Sequence, residues 1–267
     1  MAGLFFLAAP TLLKLHRYGW QAADYSHAYF VLTAAVFLFW RQRKHFVAAE
    51  GFRFGPSLLF ASGLCGYAFG ALQDFMVIEA ISLVVVLWAL VFLRFDVSSA
   101  RRLVFPLAYL LFLVPPPLWA IDVLTWPLKR MSAQASGLLL SLAGVPVFVF
   151  GVVIKAGGHS LFVSDACSGF RSLVALLSLS AVYAYLQPLS NAAKWTLFLG
   201  TIPIAIFANI MRLTLTGYLA YRFGQGAAEG FFHSVSGLAV FLLGIGTLAA
   251  FSALLGRFQG ATHEGTS

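Results

Sequence analysis

The sequence predicts an all-α polytopic integral membrane protein with about eight transmembrane helices, a small extracytoplasmic amphipathic helix and a β-hairpin. Three observations lead there. Hydrophobic residues make up 61% of the chain and charged residues only 10%, whereas a soluble domain carries about a quarter charged residues. Apolar runs near the roughly 20 residues that a membrane crossing needs recur along the chain. Basic residues gather in the short loops between these runs, as retention of Lys and Arg on the cytoplasmic side requires. No hydrophilic stretch is long enough for a soluble domain, so residues 1–267 read as one membrane domain. The net charge of +8 is explained by the same loops. The chain has no basic stretch interleaved with exposed aromatics of the kind that binds nucleic acid.

Hydropathy places the expected spans at about 3–15, 25–40, 57–72, 75–93, 103–121, 168–186, 195–220 and 232–256. Met1–Leu15 is apolar without a basic leading region, which argues against a cleavable signal peptide. It reads as a tilted first helix, or as part of one that starts upstream. Only Gln73-Asp74 separates the third and fourth runs, so these form a tight helical hairpin. Pro115-Pro116-Pro117 breaks or ends the fifth span. In the following segment, Trp126–Ala143 can form an amphipathic helix with Leu128, Met131, Leu138 and Leu139 on one face, lying in the interface or dipping into the bilayer. Val145–Val153 and Leu161–Val163 are β-branched and aromatic runs around Gly157-Gly158, the pattern of a hairpin.

Loop charge orients the chain. Arg41, Arg43, Lys44, Arg53, Arg94, Arg101, Arg102, Lys194 and Arg257 fall on one side if the spans alternate; Lys14, Arg17, Lys129, Arg130, Lys155 and Arg222 fall on the other. The short loops after the second and fourth spans dominate such a comparison. Both termini are therefore expected in the cytoplasm and segment 122–167 outside.

This topology brings Cys167, at the start of the sixth span, Arg212, in the outer third of the seventh, and His233, at the start of the eighth, to similar depth. Ser164 or Asp165 is suited to cap the sixth span. Cys167 would then lie in a first helical turn, where free N–H groups and the helix dipole favour the thiolate. Arg171, four residues on, would share its face and reinforce that effect or attract a carboxylate. Gly169 permits close backbone approach. The plainer reading of Cys167 is a structural cysteine at a helix end. An arginine inside the apolar run 202–220 costs roughly 2.5–3.5 kcal/mol at a helix centre. Arg212 shares a polar face with Asn209 and Thr216; it reads as an oxyanion anchor, or as a side chain snorkelling to the interface. His233 can act as base toward a thiol and acid toward a leaving amine, or be an ordinary interfacial histidine. Glu229 can orient it, Asp74 and Glu79 are supporting acids on the same side, and His27 lines the site or caps the second span. Cys65, inside an apolar run, reads as a small buried hydrophobe. It lies at a different depth from Cys167, so no disulfide between the two is expected. The cysteine and histidine spacings give no metal site.

At these residues the chain resembles the exosortase/archaeosortase family. The resemblance is carried by Asp24-Tyr25-Ser26-His27, Arg41-Gln42-Arg43, Gly144-Val145-Pro146-Val147 leading through Gly151 to Ala166-Cys167-Ser168-Gly169, then Asn209-Ile210-Met211-Arg212 and Phe232-His233 with Gly237. It implies a membrane-embedded cysteine transpeptidase-like protease without a cofactor. Cys167 would be the nucleophile, Arg212 the oxyanion stabiliser and His233 the acid/base, with Arg171, Asn209, Ser168, Gly169, His27 and Glu229 in substrate-binding or supporting roles. The implied partners are exported proteins bearing a C-terminal sorting signal: a short motif such as Pro-Glu-Pro, a hydrophobic helix and a basic tail, held among membrane lipids. The implied location is the cytoplasmic (inner) membrane with the site facing outward. Ala28 stands where the family usually has glycine. Without the C-terminal soluble domain of some bacterial members, the chain resembles a minimal-core type. The readings from other classes are a polytopic transporter with Arg212 as anion-binding group, and a non-catalytic assembly factor for surface polysaccharide or protein export. A transporter predicts paired broken helices and charge through the full membrane depth, while the polar residues here gather at one face.

Overall fold

The computed structural model describes residues 2–21, 25, 27–51, 53–162, 169–224 and 231–264; within these, the side chains of 2–6, 118, 161–162, 231–237, 240 and 258–264 are not described. Helices dominate, with one small antiparallel sheet, and the chain forms two compact units, Met1–Pro117 and Leu118–Ser267.

The first unit holds α1 (Ala2–Lys14), α2 (Ala28–Gln42), α3 (Phe54–Leu72), α4 (Met76–Arg94), α5 (Val97–Arg102) and α6 (Val104–Tyr109). α1 continues into one wider π-type turn over Leu15–Trp20, anchored where the Trp20 indole donates to the Leu113 carbonyl at 2.9 Å. α3 and α4 form the expected hairpin. Asp74 makes the turn with φ 56°, a left-handed conformation that Asp and Asn tolerate better than most residues. The two helices approach closely along Gly63, Gly66 and Gly70: a Cβ on Gly70 would lie 2.5 Å from the Glu79 backbone nitrogen, and one on Gly63 2.9 Å from Val86 Cγ2. With apolar solvent on the outside, helix association rests on such packing of small residues.

That hairpin buries an acid. Glu79 is 1% exposed; it accepts from Thr11 Oγ1 at 2.7 Å and pairs with Lys14 at 3.1 Å, while Lys14 also reaches Asp74 at 3.1 Å. Asp74 and Glu79 are thus engaged with α1. Cys65 lies on the exposed face of α3, which corrects its reading as a buried hydrophobe: the glycines take the packed face, so the larger side chains of α3 point outward.

The loop after α2 is stitched to the end of α4. Ala48 bridges Phe95, the Asp96 N–H donates to the Val47 carbonyl, and Ser99 Oγ donates to the His45 carbonyl. The two strongly basic loops therefore lie together. Asp96 caps α5 through Ser99 and Ser98 N–H groups, and these hydrogen bonds, the Ser99 contacts foremost, hold its carboxyl below the usual carboxylate range.

The fifth expected span differs. Leu103 separates α5 from α6, and the helical run Val104–Leu113 ends before Pro115. At ~1.5 Å per residue it covers about 15 Å, half the hydrocarbon thickness. Residues 118–121, expected within that span, belong instead to α7 of the second unit. Each proline lacks a backbone N–H and turns the residue before it away from the helical region, and three in succession separate the two units.

The second unit comprises α7 (Leu118–Leu142), a three-stranded sheet, α8 (Phe170–Leu186), α9 (Asn191–Phe223) and α10 (Phe231–Glu264). The sheet corrects the expected single hairpin. β1 (Val147–Phe150), β2 (Val153–Ala156) and β3 (His159–Phe162) run antiparallel in that order. Gly151, with φ 61°, turns the chain inside the run Val145–Val153 that looked continuous. Val145, Val152, Ile154 and Ala156 pack with Ala133 and Leu140 of α7 and Leu213 of α9.

On α7 the four leucine and methionine residues of the expected apolar face are not packed inside: Leu128 and Leu139 are half-buried. Met131 and Leu138 are exposed, while Ser132, Ala133, Ser136 and Leu140 are buried. In a bilayer large apolar side chains can face lipid, and small or hydroxyl residues occupy helix contacts. α3, α4 and α9 have the length and apolar composition to cross a membrane; Val104–Leu113, Phe170–Leu186 and Phe241–Arg257 are shorter apolar stretches.

Gly70→Ala should lower stability by about 1–3 kcal/mol through overpacking, whereas Gly55→Ala, with nothing within 4 Å, should leave it unchanged or slightly raised; thermal unfolding in detergent reads both. Asp96→Asn should lower stability at neutral pH. The folded carboxyl titrates below its unfolded value, so its contribution is full above the ordinary carboxylate range and fades as pH falls through the lowered value. The wild-type and Asp96→Asn melting temperatures should converge in acid.

Candidate active site

α8 meets the middle of α9 at the candidate site. α8 starts at Phe170, with Gly169 as its N-cap residue in the left-handed conformation, φ 80°. The expected placement of Cys167 in a first helical turn falls on residues outside those described. Cys167 and Ser168 lie outside the described residues, as do Ser164, Asp165 and Glu229.

Gly169 is buried against Asn209: a Cβ there would lie 2.7 Å from Asn209 Cγ. Two requirements, positive φ and close approach, fall on the one residue that meets both. Asn209 is 2% exposed, and its Nδ2 donates to Ser132 Oγ of α7 at 3.3 Å. Ser136, one turn further along α7, donates to the Ile210 carbonyl at 3.0 Å. Thus Asn209 sits between the start of α8 and the middle of α7. A cavity of about 10 Å³ remains between Leu128, Ser132, Gly169, Leu173, Ile206 and Asn209, close to the least that holds one water.

Arg212 is half-buried one turn beyond Asn209, and Leu213 beside it packs into the core under the sheet. Arg171 is half-buried in the first turn of α8. The sheet occupies the same end: the turn at Gly157 lies against the Tyr221 ring of α9, and β3 runs back antiparallel to β2 from that turn.

The remaining contacts set helix levels. Thr201 donates to Ser180 at 2.7 Å, fixing α9 antiparallel to α8. Leu176 of α8 meets Gly244 of α10, and Phe251 of α10 meets Gly200 of α9. Counting from these contacts at about 1.5 Å per residue, Arg212 lies about 5 Å beyond Gly169, and the His233 backbone about 6–14 Å beyond it, toward the same end. His233 falls in the first turn of α10, described by its backbone.

His27 belongs to the first unit. It stands at the N-terminal boundary of α2 without a capping hydrogen bond, 8% exposed, its ring 5.3 Å from that of Tyr25. The helix-capping alternative is thereby removed. Ser132 and Ser136 were not among the residues singled out from the sequence. Their spacing of four on one helix, with Ala133 and Gly137 beside them, was the available signal.

Gly169→Ala should destabilise by about 1–3 kcal/mol through overpacking and backbone strain. Adding Asn209→Ala should recover the steric part and leave the strain, giving a non-additive pair in a double-mutant cycle of thermal unfolding; strict additivity would mean that the two residues do not touch.

The model of the transmembrane exosortase family matches residues 20–250, from the end of the first helix into α10. The curated proteins and the solved structures give no match. The family match covers both compact units and every motif from His27 to His233, so the chain belongs to the transmembrane exosortase family.

Proposed function

We propose that this integral membrane protein is a cysteine protease/transpeptidase that cleaves C-terminal sorting signals from exported proteins through a thioester acyl-enzyme. The observation that carries the reading is the seating of Gly169 against Asn209, joined to family membership in a transpeptidase-like sorting family. It seats the glycine that follows Cys167 and Ser168 in sequence on the helix bearing Arg212. Cys167 is two peptide links from Gly169, a reach of about 7 Å, and Arg212 is one helical turn from Asn209. The shared end of α8, α9 and α10 adds His233.

In this mechanism His233 takes the proton of the Cys167 thiol, and the resulting thiolate attacks the scissile carbonyl carbon. The guanidinium of Arg212, charged at every working pH, stabilises the oxyanion. Collapse breaks the C–N bond, and His233 gives the leaving amine its proton. The thioester left on Cys167 is resolved by an amine, giving transfer, or by water, giving hydrolysis; either step restores the thiol. Asn209, Gly169 and Ser168 position the nucleophile segment, Arg171 and Glu229 support the charges around it, and His27 is a further supporting residue. The full topology proposed is eight spans in one membrane domain, both termini cytoplasmic and the site facing outward. The stitching of the basic loops after α2 and α4 supports a common basic, cytoplasmic face. The substrate is an exported protein whose Pro-Glu-Pro-like motif precedes a hydrophobic helix and basic tail.

Co-expression with such a protein, followed by gel mobility, tests the reading. Wild type should convert it and Cys167→Ala should abolish conversion. Arg212→Ala should slow it about 10²–10³-fold, as loss of an oxyanion donor does, and His233→Ala about 10²–10⁴-fold with loss of the pH optimum. Conversion that persists in Cys167→Ala would end the thiol mechanism and return the transporter and assembly-factor readings.

A further inference from the structure

The first unit contains a second site, remote in sequence from every catalytic candidate. An apolar groove of about 770 Å³ runs along α4 and is walled by Phe39 of α2, Phe60 and Leu64 of α3, and Leu87 and Leu90 of α4, with Arg94 at one end. The volume is within the range of about 300–1,000 Å³ typical of ligand pockets. Its length along α4, from Val86 to Arg94, is about 12 Å at 1.5 Å per residue.

The groove is polar only at its end. Arg94 is exposed, and its guanidinium makes no hydrogen bond or ion pair among the described residues. The α3–α4 packing explains why the groove stays open. Glycines bring those helices together on one face, and the larger side chains of α3 are turned away, so that Phe60 and Leu64 form a wall. At the Arg94 end lies the basic loop face, where Arg53 donates to the Phe92 and Phe95 carbonyls at 3.3 and 3.2 Å.

We propose that this groove binds one anionic glycerophospholipid, with its phosphate on Arg94 and the upper part of an acyl chain along α4. Charge and size select this occupant. A guanidinium at the mouth of an apolar slot matches a phosphate joined to a hydrocarbon chain, and basic residues at the cytoplasmic interface attract anionic lipid. A sorting-signal helix fits neither criterion. Its basic tail would meet Arg94 and the basic loops, and a membrane-crossing helix about 10 Å across and 30 Å long fills roughly 2,400 Å³. The bound lipid would serve as a wedge that joins α2 to the α3–α4 hairpin.

The test uses the purified full chain in neutral detergent, titrated with phosphatidylglycerol or phosphatidylcholine of identical acyl chains, with retained lipid counted by native mass spectrometry. Wild type should retain one phosphatidylglycerol about tenfold more tightly than phosphatidylcholine, the scale of one charge-assisted contact. Arg94→Gln, at an exposed position, should erase that preference. Arg41→Gln, on the same basic face outside the groove, should keep it. Leu90→Trp, which fills the slot, should release both lipids; if that variant does not fold, the two arginine variants still decide. Equal retention of the two lipids by wild type would overturn the proposal. So would loss of the preference in Arg41→Gln as complete as in Arg94→Gln, because binding would then be diffuse electrostatics. Displacement of the lipid by an apolar helix with a basic tail would make the groove a peptide site and overturn it as well. None of these readouts depends on proteolytic activity.

Discussion

Close helix contact through residues with little or no side chain is the constraint on which the rest of this structure depends. In a bilayer, leucine gains little by leaving lipid for a neighbouring helix, so association rests on close packing and on hydrogen bonds across helices. Gly70 lets the Glu79 backbone come within 2.5 Å of where a Cβ would stand. That approach buries Glu79, and Thr11 and Lys14 of α1 satisfy its carboxylate. The same principle operates in the second unit, where Gly169 abuts Asn209 and Ser132 and Ser136 of α7 bond to α9. Each unit thus uses small residues for proximity and a few buried polar groups for register.

The arrangement has a chemical consequence in the second unit. Asn209 cannot move without disturbing both α7 and the turn at Gly169, so the start of α8 is held against the helix that carries Arg212. Precision of that kind is difficult for a loop alone. Here a left-handed glycine seated on a buried amide joins the start of α8 to α7 and α9. The sheet adds a second brace: its inner face packs on α7 and Leu213, and its Gly157 turn lies on Tyr221. α9, 33 residues long, spans about 50 Å at 1.5 Å per residue. It exceeds the hydrocarbon thickness of about 30 Å, which lets one helix carry Arg212 and also support the sheet.

The first unit is organised around a different task. Its basic loops are tied together by backbone bonds, a capping aspartate and Arg53, rather than left as separate tethers. The result is a compact basic rim beside an apolar groove. The exposed face of α3, including Cys65, follows from the same geometry: once the glycines occupy the contact, the remaining side chains have only the outside to face. Exposure of apolar residues is here a property of the solvent and does not signal an unfinished surface.

Hydropathy alone determined that the chain is helical and membrane-embedded, because a run of apolar residues in lipid must satisfy its own backbone hydrogen bonds. The α3–α4 hairpin and the ends of α8 and α9 were legible to within a few residues for the same reason. Arg212 and Asn209 stood out too, since an arginine and an asparagine in an apolar run contrast with such a background. Tertiary structure decided what periodicity could not. It broke the fifth run after Leu113 and gave residues 118–121 to α7, because three successive prolines remove three N–H donors and hold the residues before them out of the helical region. It made three strands from two runs, because Gly151 turned inside one of them. It chose the packed face of α7, because Ser132 and Ser136 are small enough to meet α9 and can hydrogen-bond to it. It also placed Gly169 against Asn209, a contact between residues 40 positions apart that no local pattern encodes, since only the packing of α7, α8 and α9 together creates it.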